Sequence, residues 1–130
     1  IRRDFPGGWK GDPQNAFNHA TQTAEQKDFH DFTQKVLTWR KGKDVIHNGK
    51  TKHYMPKDKV YVYFRYNESG KVMVVINNNE KEQILDLNRF AESLNGVSAR
   101  KDIISGKDFV VTSKNKLTVS GKSSLILELN

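Results

Sequence analysis

The 130-residue sequence contains no cysteine. That excludes disulfides, thiolate metal sites and a cysteine nucleophile. It does not fix the compartment, because a well-packed domain does without bridges anywhere. No run of 18 apolar residues occurs, so no helix of this chain is expected to span a membrane. No basic-then-apolar leader follows Ile1, and the chain reads as cut from something longer. Neither an internal repeat nor a low-complexity segment is present. One-sided charge is missing too. The net charge is +7, from 22 basic and 15 acidic residues, but the excess is thinly spread. Residues 1–43 carry 8 basic and 5 acidic groups, and residues 44–130 carry 14 and 10. The densest basic run, Arg40-Lys41-Gly42-Lys43, falls at a predicted helix end, where cations suit the dipole. Charge alone speaks to solubility and steering, so no nucleic-acid partner is expected.

What the chain does have is aromatics. Seven Phe, four Tyr and two Trp are too many for a disordered segment, although the mean hydropathy of -0.75 is polar. A chain of this length buries roughly two-thirds of its unfolded surface, enough for one core.

The hydrophobic period changes along the chain. Asp12-Pro13 reads as a helix cap followed by proline at the first helical position, with a short turn through Ala16 and Phe17. Thr23-Ala24-Glu25-Gln26 fits a capping box. Behind it Phe29, Phe32, Val36 and Trp39 recur at helical spacing, predicting a helix over 23–41. After Lys43 the period becomes two. Asn48-Gly49 signals a hairpin, and Pro56 is expected to break the chain. Val60–Tyr66, Val72–Ile76, Gln83–Leu87, Ile103-centred Asp102–Ile104, Phe109–Val111, Leu117–Val119 and Leu125–Leu129 read as strands. Asn88 is expected to cap a short helical turn carrying Phe90 and Leu94. Strands so closely spaced predict an antiparallel β-sandwich or barrel, since the loops are too short for parallel crossovers. The fold class is therefore mainly β, with one long α-helix and an N-terminal loop in front.

Catalytic chemistry is not visible. Histidines 19, 30, 47 and 53 match no metal motif, so surface histidines and no metal are expected. Glu25, Asp28 and Asp31 lie away from the aromatic stripe and read as a solvated face, lacking the desolvation a general acid needs. The serines sit in turns without a nucleophile elbow, and Gly7-Gly8 precedes Trp9 rather than a phosphate-binding Lys. No catalytic residue and no cofactor follow from these patterns. Aromatics offer another function, because flat rings are platforms for sugars. For Trp39 helix-to-core packing is the preferred reading. For Tyr61 and Tyr63 packing against a helix or neighbouring domain is preferred over glycan binding. Trp9, on the breaker-rich run Asp4-Phe5-Pro6-Gly7-Gly8-Trp9-Lys10-Gly11-Asp12, is open to both loop anchoring and ligand contact.

That run, with Ile1-Arg2-Arg3 before it and Asn15-Ala16-Phe17 after, resembles a segment of the α-amylase superfamily of glycoside hydrolases. It is most similar to the Bacteroidetes-type cyclomaltodextrinase and neopullulanase group, where such a run follows the eighth barrel strand. Phe29 to Lys41 resembles the last barrel helix. Ile46–Lys50, Tyr61–Arg65 and Val74–Asn77 resemble opening strands of the C-terminal domain. Asp102–Lys107 resembles a turn of it, and Leu125–Leu129 its closing strand.

The resemblance implies a remnant of the barrel end over 1–43 and a C-terminal sandwich over 44–130. It implies a catalytic barrel as partner, with α-glucan reached only through the parent enzyme. Asp4, Phe5 and Trp9 would then sit near the barrel mouth, facing the rim of the substrate cleft or a partner subunit. The family's catalytic carboxylates lie upstream, so this chain is expected to be non-catalytic, with a structural role. A starch-type carbohydrate-binding module is the alternative. A periplasmic setting is favoured over a cytoplasmic one, and the bared stripe of Phe29, Phe32 and Trp39 predicts self-association.

Overall fold

A computed structural model describes residues 4–96 and 100–129. Ile1-Arg2-Arg3, which open the resembling run, lie outside the described residues. The chain divides into two units, one up to Thr38 and one from Trp39 onward.

In the first unit a 3-10 turn, His19–Thr21, precedes helix α1, Ala24–Lys41. The capping box forms as the sequence predicts. The Thr23 amide donates to Gln26 Oε1 at 2.9 Å, and the Gln26 amide donates to Thr23 Oγ1 at 3.2 Å. Two otherwise orphaned amides are thereby satisfied. No residue of α1 is buried. Asp12 starts no helix, contrary to the sequence reading. Its carboxylate reaches back to the amides of Gly7 and Trp9, at 2.9 and 3.1 Å, so the acceptor closes the loop instead of capping a helix.

The second unit contains helix α2 (Asp44–His47) and strands β1 (Lys50–Lys57), β2 (Val60–Asn67) and β3 (Gly70–Asn77). Next come β4 (Gln83–Asp86), a 3-10 turn over Leu87–Phe90, and helix α3 (Ala91–Leu94). Strands β5 (Arg100–Lys101), β6 (Asp108–Phe109), β7 (Lys116–Val119) and β8 (Ser123–Leu129) complete it. Every pairing among the described strands is antiparallel. The main sheet runs β1-β2-β3-β8, with β4-β7 and β5-β6 as separate pairs. Among the described residues no helix is long and apolar enough to cross a membrane.

The two-residue period decides what is buried. On β2, Val60, Val62 and Phe64 enter the core, and on β8 Leu125, Leu127 and Leu129 do so. Leu87, Phe90, Leu94, Val111, Leu117 and Val119 close it from the other side. β3 is buried on both faces, since Met73 and Val75 join this core while Val72 and Val74 join a second cluster with Val45. A strand covered on both faces reads as a continuous apolar run, which is what Val72–Ile76 is.

Several local readings give way to the tertiary structure. Asn48-Gly49 ends α2 rather than forming a hairpin. Asn48 Nδ2 donates to Asp44 Oδ1 at 2.6 Å, and Val45 is buried against the sheet. A Cβ on Gly49 would lie 2.2 Å from the Val45 carbonyl oxygen, so a close backbone approach requires this glycine. Pro56 does not stop β1, because β1 is the sheet's edge strand and an edge tolerates a missing amide. The register shifts between Tyr54 and Lys57 instead. The tight reversal follows at Asp58-Lys59, both at positive φ (50° and 56°), the conformation of a type I′ hairpin. Asn79 Nδ2 donates to the Asp58 carbonyl at 2.7 Å, and the Asn78 amide donates to the Lys59 carbonyl at 3.0 Å. Asp86, not Asn88, caps the turn into α3, accepting from the Asn88 amide. Asp102–Ile104 forms one bridge to Leu127 and then turns rather than extending as a strand. Of the strand predicted over Phe109–Val111, only Phe109 is in β6.

Candidate functional site

The N-terminal loop is shaped by its glycines and Asp12. Gly7 sits at φ +90°, and a Cβ there would fall 2.6 Å from Asn15 Oδ1. The chain thus turns where only glycine fits. The loop leaves its aromatics outside: Trp9 is 72% exposed and Phe5 58%. Asp4 is exposed as well. Phe5 meets Phe17 at a ring-centroid distance of 5.6 Å. Asp12 anchors this loop together with the Ala16 amide, which donates to the Pro6 carbonyl at 3.0 Å, and the Trp9 indole takes no part in the anchoring among the described residues.

Beside α1 lies an open apolar groove of about 580 Å³, lined by Pro6, Ala16, Gln22, Phe29 and Leu37 among others. Gln22 Nε2 donates to the Ala16 carbonyl at 2.8 Å, while its buried Oε1 has no partner among the described residues. Phe29 is 74% exposed. Asp31 bonds Lys27 and approaches His30 and His19. Its carboxyl is held below the ordinary value of 3.8, first by the Lys27 hydrogen bond and then by His30. Sequence spacing missed this meeting of His19 and His30, since they lie on different elements.

In the second unit Trp39, Tyr61 and Tyr63 lie on the face of the main sheet opposite the Phe64 core. Trp39, on the last turn of α1, packs with Ile46, Tyr63 and Ile126 against Val45, Val72 and Val74. Its Nε1 donates to Glu128 Oε1 at 2.8 Å, and Lys43 pairs with the same oxygen. Tyr61 and Tyr63 are adjacent, with ring centroids 5.6 Å apart, and His53 meets Tyr61 edge-on at 6.4 Å. Burial, and then the neighbouring Tyr61, raises the Tyr63 phenol above its ordinary value of 10.0. Packing accounts for Trp39 and Tyr63, as the sequence suggested. Met55 and Ile76 leave the rest of this face open.

The one fully buried carboxylate among the described residues has a structural task. Asp102 Oδ2 accepts the Ser105 amide at 2.7 Å, and Oδ1 accepts the Ile126 amide at 2.9 Å. Its acceptors are thus engaged by the backbone of its own turn and of β8.

The family model of the cyclo-malto-dextrinase C-terminal domain matches residues 51–128, from β1 through β8. The chain belongs to this family. As a cyclo-malto-dextrinase C-terminal domain it also shares its fold with solved enzymes. An α-amylase from Anoxybacillus superposes at a TM-score of 0.68 with 19% identity, over 86% of this chain and 24% of that one. An α-amylase from Geobacillus thermoleovorans, solved with acarbose, gives 0.69 with 15% identity, over 87% and 24%. An isomaltulose synthase mutant from Erwinia rhapontici, solved with D-glucose, gives 0.63 with 24% identity, over 87% and 20%. The cyclo-malto-dextrinase C-terminal domain described here thus spans about a quarter of the α-amylases' length.

Proposed function

We propose that the chain is the non-catalytic C-terminal part of a retaining α-glucan hydrolase of the neopullulanase or cyclomaltodextrinase kind. Residues 1–43 are the last loop and helix of its catalytic barrel, and residues 44–130 are the sandwich that stabilises it. The observation carrying this reading is α1. It is an 18-residue helix without a buried residue, yet it keeps an apolar stripe at helical spacing. Such a stripe stabilises a helix only when a second layer covers it, and in this proposal the barrel is that layer. Asp4, Phe5 and Trp9 border the substrate cleft of the parent enzyme.

Two measurements test the proposal. The isolated chain hydrolyses neither pullulan nor cyclodextrin; product release above the blank refutes it. In the complete enzyme, deleting residues 44–130 shortens the half-life on heating far more than it lowers the kcat of the surviving fraction. Separately, the bare stripe drives self-association of the isolated chain. Light scattering on Phe29→Ser/Phe32→Ser then reports a smaller species than the parent chain.

A second reading rests on the neighbouring Tyr61 and Tyr63 rings beside His53. This face would act as a starch-type carbohydrate-binding platform. Calorimetric titration with maltooligosaccharides decides between the two. Heat that disappears in Tyr61→Ala supports a binding module, and no heat removes it.

A further inference from the structure

Two independently braced segments of the first unit bring three metal-ligating side chains together. His19 opens the 3-10 turn His19–Thr21, which Asn18 caps by accepting the Ala20 amide at 3.0 Å. Thr21 Oγ1 adds bonds to the Asn15 and Asn18 carbonyls, both at 2.9 Å. His30 and Asp31 stand on α1, whose entry the Thr23–Gln26 box fixes. The imidazoles of His19 and His30 meet nearly perpendicular, with centroids 4.6 Å apart. Both present Nδ1 toward Asp31 Oδ1, at 3.9 Å from His19 and 3.4 Å from His30. One ligand atom from each of the three lies within 4.8 Å of the other two.

We propose that His19, His30 and Asp31 bind a divalent transition-metal ion of the zinc class. The inference goes beyond the function proposed above and does not depend on it. Zn–N and Zn–O bonds of about 2.0–2.2 Å in a tetrahedral shell place donor atoms about 3.3–3.5 Å apart. The His30–Asp31 edge already has this length, and the His19–Asp31 edge must close by about half an ångström to match it. Two imidazoles and one carboxylate suit Zn²⁺, Ni²⁺ or Cu²⁺. They do not suit Ca²⁺ or Mg²⁺, which take oxygen ligands. The Lys27 ammonium holds the other oxygen, Oδ2, at 3.1 Å. It therefore orients the carboxylate from outside the ligand set and leaves Oδ1 to the metal. Three protein ligands leave the fourth position to water.

The test is calorimetric titration of the untagged 130-residue chain with zinc chloride at neutral pH, repeated with cobalt(II) and read by visible absorption. The expected result is one ion per chain and a tetrahedral cobalt spectrum. His19→Ala, His30→Ala and Asp31→Asn each weaken zinc binding by at least the roughly 10- to 100-fold that losing a partner outside the ligand set costs. His47→Ala and His53→Ala leave it unchanged, and circular dichroism shows that the ligand variants keep their helix. The proposal is overturned if the chain takes up no zinc. Affinity that survives His19→Ala, or that vanishes with His47→Ala or His53→Ala, overturns it equally.

Discussion

Phe29 on α1 leaves 74% of its surface in water, and Phe64 on β2 leaves none. Both stand in well-formed elements that their local sequence specifies. The difference lies in what the chain itself supplies as a second layer. Phe64 faces Phe90 at 6.3 Å and Tyr54 at 5.8 Å between centroids, because the strands fold back on one another and the turn after β4 closes the far side. Phe29 lies on an element for which the described residues of the first unit supply no buried core. Burying one such side chain stabilises by about 1.5–3 kcal/mol, so an uncovered stripe is a large unused contribution. Trp39, at the end of the same helix but in the second unit, finds its cover there.

This comparison is most directly broken by paired truncations. Phe64→Ala is expected to lower unfolding stability in urea by about 3–5 kcal/mol, as core Phe truncations do. Phe29→Ala in the isolated chain, diluted until it is monomeric, stays within about 0.5 kcal/mol, the range of surface changes. Equal losses would abolish the distinction between the two units.

The next effect is polar and belongs to the second unit alone. Asp102→Ala leaves the Ser105 and Ile126 amides without their acceptor. The same urea titration should show about 2–4 kcal/mol lost, at about 1–2 kcal/mol for each of the two partly buried donors, the lower part of the range for a stranded donor. A loss below that of an ordinary surface mutation would mean water replaces the carboxylate freely.

A smaller effect sharpens the other side. Thr23→Ala removes the cap of α1 and should cost about 1 kcal/mol. Without a covering layer that cost appears as lost helicity by far-ultraviolet circular dichroism, while the β unit's urea midpoint stays put.

The smallest expected effect is acid sensitivity at the start of the second unit. Hydrogen bonds from Asn48 first, and then from Asn67, hold the Asp44 carboxyl below its ordinary 3.8. A depressed folded-state value means the unfolded chain takes up the proton first as pH falls. The contribution is therefore present above 3.8 and fades as pH drops through the folded value. Asp44→Asn should flatten the acid limb of the stability curve in that window. An unchanged limb would show that these hydrogen bonds contribute nothing.

Much of this was legible beforehand, element by element. The Thr23–Gln26 box and the spacing of Phe29, Phe32, Val36 and Trp39 located α1 almost to the residue. Runs rich in β-branched, aromatic and other apolar residues located β2, β3 and β8. The errors cluster where a neighbour overrides a local preference. Asn48-Gly49 has hairpin chemistry, yet Asp44 and the burial of Val45 use it to end a helix. Asp58-Lys59 lacks the usual hairpin glycine, yet Asn78 and Asn79 hold it in the left-handed region. For the site, the exposure of Trp9 was open in the sequence, and the approach of His19 to His30 was invisible to it.

By itself the sequence determined which positions along each element share a face, because side-chain direction follows the backbone period of helix or strand. It also determined where caps and breakers interrupt those periods. Only the tertiary structure decided which faces are covered, which carboxylate meets which amide, and which distant donors converge. Those outcomes depend on how the chain reverses between elements, and a reversal is set by contacts from residues far away along the sequence.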